Sequence, residues 1–190
     1  MTNELLFGIA EGGVMHTDAD PPIPLETKFQ MVKESGVYDY FDKTPSRKSE
    51  KEYLRYSEKY DLPILAGGWF YVLGRDDELL LENLRIGGRL GSLVHNTQII
   101  MDHADGSLVS DEQVAEIYLK AFETGEETGC RPTFEVHVNM WSEDFRRIEK
   151  VADLVERRGI PFFITLDHSH VIFKIDNPRE QEVFNIRESI

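Results

Sequence analysis

Pro161-Phe162-Phe163-Ile164-Thr165-Leu166 runs apolar for six residues and then stops at Asp167-His168-Ser169-His170. A short apolar run entered through Gly159 and Pro161 reads as a buried strand. A second run, Thr133-Phe134-Glu135-Val136-His137-Val138-Asn139, places Glu135 32 residues before Asp167 and likewise joins an acid to an imidazole. Unpaired charge at the end of a buried strand is expensive. The two runs therefore imply something that binds their acids and imidazoles, and a divalent cation is the simplest candidate.

The same rhythm continues outward. Strands are expected at Leu6–Ala10, Val37–Phe41, Pro63–Ala66, Ser92–Ile99, Thr133–Asn139 and Phe162–Leu166. Between them lie helical patterns. Ser142 reads as an N-cap, followed by apolar residues at Phe145, Ile148, Val151, Ala152 and Val155. Ser110-Asp111-Glu112-Gln113 is a capping-box pattern opening a helix that ends near Gly125 or Gly129. Leu25–Glu34, Glu50–Tyr60, Leu79–Leu90 and a tail segment Arg179–Arg187 complete the helices.

Strand and helix alternating at roughly thirty-residue spacing imply parallel strands joined by crossovers. An open doubly wound sheet concentrates its chemistry at one switch point, usually beside a glycine-rich phosphate turn. Gly8-Ile9-Ala10-Glu11-Gly12-Gly13 is not that turn. Polar side chains instead close nearly every strand: Glu11, Asp42 and Lys43, Trp69 and Tyr71, His95 with Asn96 and Gln98, then the two acid–imidazole pairs. A barrel gathers all its strand ends around one pocket. The expected fold is α/β, a TIM-type (β/α) barrel. A complete barrel takes ~250 residues, so residues 1–190 form one domain of about six of the eight units, lacking the last two.

Composition narrows the partners. With a formal charge of −14 spread along the chain, the surface repels phosphate backbones, which disfavours nucleic acid. No apolar stretch reaches the ~18 residues of a membrane span. Cys130 is the single cysteine, so no intrachain disulfide forms, and a cytoplasmic location is expected. The outer edges of the first and sixth strands invite a partner chain or a second copy.

Glu135 and Asp167 are the expected metal ligands, converging from adjacent strands. His170 is either a ligand or a donor to substrate, and His168 alternates with it. His137 shares the face of Glu135 if the strand continues. His95 and Asn96 end the fourth strand, and His103 follows in Asp102-His103-Ala104-Asp105-Gly106, which is a substrate loop or a plain turn. Trp69, Phe70 and Tyr71 either wall a sugar or pack in the core. His137, His95, Trp69 and His168 are the candidate substrate contacts.

Phe134-Glu135 followed by Leu166-Asp167-His168-Ser169-His170 resembles the xylose isomerase-like sugar isomerase/epimerase superfamily. The resemblance implies a (β/α) barrel with a divalent cation at the strand mouths: Mn²⁺, Mg²⁺ or Co²⁺, with Zn²⁺ ranked below them. It implies that Glu135 is metal ligand and acid/base, Asp167 a metal ligand, and His170 a catalytic contact to substrate oxygen. The family's epimerases add a histidine and a second glutamate from seventh and eighth strands, and a glutamate six residues after the first, where Trp141 stands here. The implied reaction is isomerisation or epimerisation of a small-molecule sugar or polyol through proton abstraction beside a carbonyl. A dehydratase or β-eliminating lyase would use the same enediolate. A non-catalytic barrel fragment or binding subunit is the alternative from another class.

Overall fold

The computed structural model describes residues 5–15 and 22–173. Six strands are present: β1 (Gly8–Ala10), β2 (Tyr40–Asp42), β3 (Ile64–Tyr71), β4 (Val94–Ile99), β5 (Arg131–Val136) and β6 (Ile164–Leu166). They alternate with α1 (Leu25–Ser35), α2 (Glu50–Tyr60), α3 (Asp77–Leu90), α4 (Asp111–Thr128) and α5 (Phe145–Glu156), and α6 (His168–Phe173) follows β6. The segment Arg179–Arg187 lies outside the described residues.

The strands form one sheet in the order β1-β2-β3-β4-β5-β6. β1 with β2, β2 with β3, and β5 with β6 pair in parallel. The amide of Leu93 donates to the Leu65 carbonyl and that of Ile100 to the Tyr71 carbonyl, so β3 and β4 also run in the same direction. A strictly sequential order has no switch point, which excludes the doubly wound sheet and leaves six of the eight units of a (β/α) barrel.

By contact density the chain divides into two compact units. The first takes in Met1–Gly68, Asn83–His95 and Gly125–Arg131; the second takes in Trp69–Glu82, Asn96–Thr124 and Pro132–Ile190. The first unit's core centres on Phe29 of α1, whose ring stacks on Phe41 of β2 at 4.6 Å, with Tyr53 and Tyr56 of α2 against it. In the second unit Tyr118 of α4 meets Phe134 of β5 and Phe162. Its hydroxyl donates to the Pro161 carbonyl and accepts from the Phe163 amide, which fixes the approach to β6.

Several boundaries depart from the sequence expectation for identifiable reasons. β3 continues through Gly67-Gly68 to Tyr71 instead of ending at Ala66, because Gly67 is where another chain segment comes close. A Cβ there would lie 2.1 Å from Thr44 Oγ1 and 3.0 Å from the Lys43 carbonyl carbon. β5 stops at Val136, and Asn139 takes a left-handed φ of 61° that turns the chain away, a conformation asparagine tolerates. Ser142 is not the cap of α5; Asp144 is, accepting from the Arg146 amide at 3.0 Å. The capping box at Ser110 forms reciprocally with Gln113, and α4 runs through Gly125 to end before Gly129. Among the described residues no helix is long and apolar enough to cross a membrane.

Gly67→Ala should destabilise the protein by about 1–3 kcal/mol through overpacking. The check is a lower urea midpoint with an unchanged denaturant slope.

Candidate metal centre

The site lies in the second unit and starts from alternation along β4 and β5. His95, Thr97 and Ile99 are buried, while Asn96 and Gln98 between them are only part-buried. Both of those amides reach Glu135, one residue in from the end of β5. Asn96 Nδ2 donates to Glu135 Oε2 at 2.5 Å, and Gln98 Nε2 donates to the same oxygen. Glu135 is 5% exposed, so its carboxylate stays inside the fold because two amide donors replace water on Oε2. Oε1 accepts no hydrogen bond among the described residues. On the same face Thr133 joins Thr165 through their hydroxyls at 2.7 Å, so the interior here is polar where continuous apolar strands were expected.

Beyond Val136 the chain is pinned by Ser142. Its hydroxyl donates to the Glu135 carbonyl and accepts from the His137 amide at 3.2 Å. This fastening holds the His137 ring near the strand end. Nδ1 of His137 lies 2.6 Å from the Val138 carbonyl. A carbonyl only accepts, so Nδ1 is the donor here and Nε2 is the nitrogen left to face the cluster. The His170 ring packs against it, centroid to centroid 3.6 Å, and the Phe70 ring meets His137 edge-on at 6.1 Å.

His170 reaches this point because β6 ends at Leu166, as expected, and α6, a helix not expected from the sequence, starts at His168. Asp167 caps that turn: Oδ1 accepts from the Ser169 amide at 2.8 Å and the Ser169 hydroxyl at 2.6 Å. Its Oδ2 stands 3.6 Å from His170 Nε2, in ion-pair range but longer than a hydrogen bond. The serine hydroxyl leads the causes that hold the Asp167 carboxyl below its ordinary value, with burial opposing it. Among the described residues, the buried Nδ1 of His170 has no hydrogen-bond partner.

Glu135, His137 and His170 thus place one donor atom each within 4.8 Å of one another. The set fits a metal ion by donor type, one carboxylate and two imidazoles, and among the described residues the buried Nδ1 of His170 has no partner. Asp167, expected as the second ligand, falls outside this group and beside His170.

The other expected residues divide. His168 is exposed at the start of α6. Trp69 is 50% exposed on β3, and its neighbour Phe70 is the aromatic that touches the cluster. Trp141 is 2% exposed, with its indole donating to Asp111 at 3.1 Å. His103 belongs to a turn in which Asp105 accepts from Ser107, and its ring sits against Gly74. In the first unit Glu11 is paired with Lys28 and with Lys43, the latter at 2.9 Å. Burial pushes the Glu11 carboxyl up, but the two ammonium groups bring it below its ordinary value. His95 is 1% exposed, its Nδ1 3.2 Å from Thr44 Oγ1, and burial lowers its pKa from 6.5 to about 4. Sequence reasoning took Asn96 and Gln98 only as polar strand-end residues and Ser142 only as a helix cap, and missed their contacts with Glu135. The signal for the first two was amides at alternate positions on the strand next to Glu135.

No protein-family model matches the chain, and no curated protein matches it. Solved structures do. D-allulose 3-epimerase from Methylomonas sp., in complex with D-allulose, superposes with a TM-score of 0.69 at 14% identity, over 93% of this chain and 67% of that one. The 3-keto-D-glucoside 4-epimerase of E. coli gives 0.66 at 13% identity, covering 96% and 75%. A xylose isomerase domain protein from Planctomyces limnophilus gives 0.65 at 10%, covering 98% and 72%. The fold is that of the xylose isomerase-like sugar isomerases and epimerases.

His95 makes stability depend on pH. Its folded pKa is lowered, so between pH 6.5 and about 4 the unfolded chain binds a proton that the folded chain refuses. The contribution is full above that window and is lost as pH falls. Between pH 7 and 5 the loss should be about 2 kcal/mol in urea unfolding, and His95→Gln should remove this part of the pH dependence.

Proposed function

We propose that the chain is a divalent-metal-dependent isomerase or epimerase of a free sugar or polyol, acting by proton abstraction next to a carbonyl. The observation that carries this is Glu135: a buried carboxylate clamped on one oxygen by two amides, with two imidazoles grouped around it. The likeness of fold to D-allulose 3-epimerase and to 3-keto-D-glucoside 4-epimerase supports the substrate class.

His137 and His170 would hold the ion, with the Glu135 carboxylate facing it. When bound, it supplies Lewis acidity that polarises the substrate carbonyl and lowers the pKa of the neighbouring C–H. Asn96 and Gln98 keep Glu135 Oε2 occupied, so Oε1 is the atom that takes the proton. The C–H electron pair passes into the carbonyl, giving an enediolate; the neighbouring hydroxyl passes its proton to the former carbonyl oxygen and becomes the new carbonyl as Oε1 returns the abstracted proton to the adjacent carbon. One base on one face completes that transfer; inversion at a single carbon needs a second group from the opposite face. Phe70 meets His137 edge-on and offers an apolar surface beside the cluster.

The test is exchange of solvent deuterium into the carbon next to the carbonyl, across a panel of ketoses and aldoses with the metal-loaded chain. Glu135→Gln should slow exchange by about 10²–10⁴-fold, the usual worth of a positioned general base, with circular dichroism unchanged. Equal exchange in the variant, or none in the unaltered chain with any sugar, would reject the proposal.

A further inference from the structure

Resting on the sugar isomerase reading, we infer that Asn96 is a specificity-determining residue. Its carboxamide nitrogen holds Glu135, and its carboxamide oxygen accepts a hydrogen bond from a substrate hydroxyl outside the reacting pair of carbons. The two ends of this side chain have different fates. Nδ2 donates to Glu135 Oε2. A carboxylate only accepts, so turning the amide round would lose that bond. Oδ1 is thereby fixed as the other end, and among the described residues it is buried with no hydrogen-bond partner. Such an atom carries a cost that a donor on a ligand removes.

Placement on β4 says which side the unmet acceptor serves. Asn96 and Gln98 both bond Glu135 and so share its side of the sheet, whereas Thr97 between them belongs to the opposite side. The unpartnered hydroxyl of Thr97, a residue 1% exposed, is therefore a feature of the packing behind the strand. Of the two amides on Glu135, Asn96 is the one with a buried acceptor left over. Because Oδ1 and Nδ2 share one carbon, that acceptor lies a single carboxamide away from the carboxylate oxygen that Nδ2 binds.

The chemistry selects a ligand. An acceptor beside a carboxylate disfavours a phosphate or a second carboxylate, which would bring lone pairs against lone pairs, and favours a neutral donor. A hydroxyl is the donor that a sugar or polyol carries on the carbons outside its carbonyl. Hydrogen in its place leaves Oδ1 unpaired, and fluorine does not donate. A site that bonds a hydroxyl rejects the analogue lacking it far more strongly than an apolar pocket rejects a missing methylene.

The experiment measures dissociation constants by ligand-observed NMR on the metal-loaded 190-residue chain. The probes are the ketose or aldose of the panel that binds most tightly and its monodeoxy and monodeoxyfluoro analogues. At one position outside the reacting pair, both replacements should weaken binding by about 10–100-fold, the range for a buried acceptor left without its donor. This series is read on the unaltered chain, so it does not hang on the folding of a variant. Asn96→Leu, close to asparagine in shape, should bind the parent sugar and that deoxy analogue alike. Gln98→Met, which loosens Glu135 but leaves Asn96 Oδ1 in place, should keep the preference. Equal affinity across the series, a fluoro analogue bound as well as the parent, a preference that survives Asn96→Leu, or no binding of any sugar overturns the inference. Deuterium exchange without a position-specific loss would leave the isomerase reading standing without this contact. A position-specific loss with no exchange in any sugar would reject the isomerase reading and leave the contact standing.

Discussion

Two carboxamides on one oxygen of a buried glutamate set the terms for the rest of the site. A carboxylate as buried as Glu135 loses its water, and Asn96 and Gln98 return hydrogen bonds to one side of it only. The asymmetry leaves the other oxygen without a hydrogen bond among the described residues. It also ties the chemistry to strand pairing. Asn96 and Gln98 reach Glu135 because they occupy alternate positions on β4, and a slip of one residue would send both amides to the opposite face and bring His95 and Thr97 in their place.

The two compact units treat their polar strand ends differently. In the first, Glu11 is matched by two lysines, and His95 shares a contact with Thr44 inside the fold. These groups are consumed by structure. In the second, Glu135, His137 and His170 each place a donor atom within reach of the others. Charge and imidazole at a strand end are thus no guide to function until their partners are known; the unmet valence of a buried nitrogen is a better one.

Much of the architecture was legible because hydrophobic period and turn chemistry are local. The capping box at Ser110, the glycine after α4 and the core faces of α1 and α2 follow from residues three or four positions apart. Less legible were elements whose limits depend on distant segments. β3 runs past its glycines because Thr44 packs there, and Ser142 serves β5 instead of capping α5 because the turn at Asn139 brings its hydroxyl back.

The sequence by itself determined the strand–helix alternation, the barrel order that follows from it, and the presence of an acid and imidazoles at the ends of the fifth and sixth units. Those follow from short-range periodicity and from the cost of burying charge. Only the tertiary structure decided which imidazoles meet the acid. It moved Asp167 into a helix cap, lifted His170 onto the first turn of α6 beside His137, and drew two amides from β4 onto Glu135. The reason is that a donor's availability depends on what its other atoms bond across space, and spacing along the chain does not encode that.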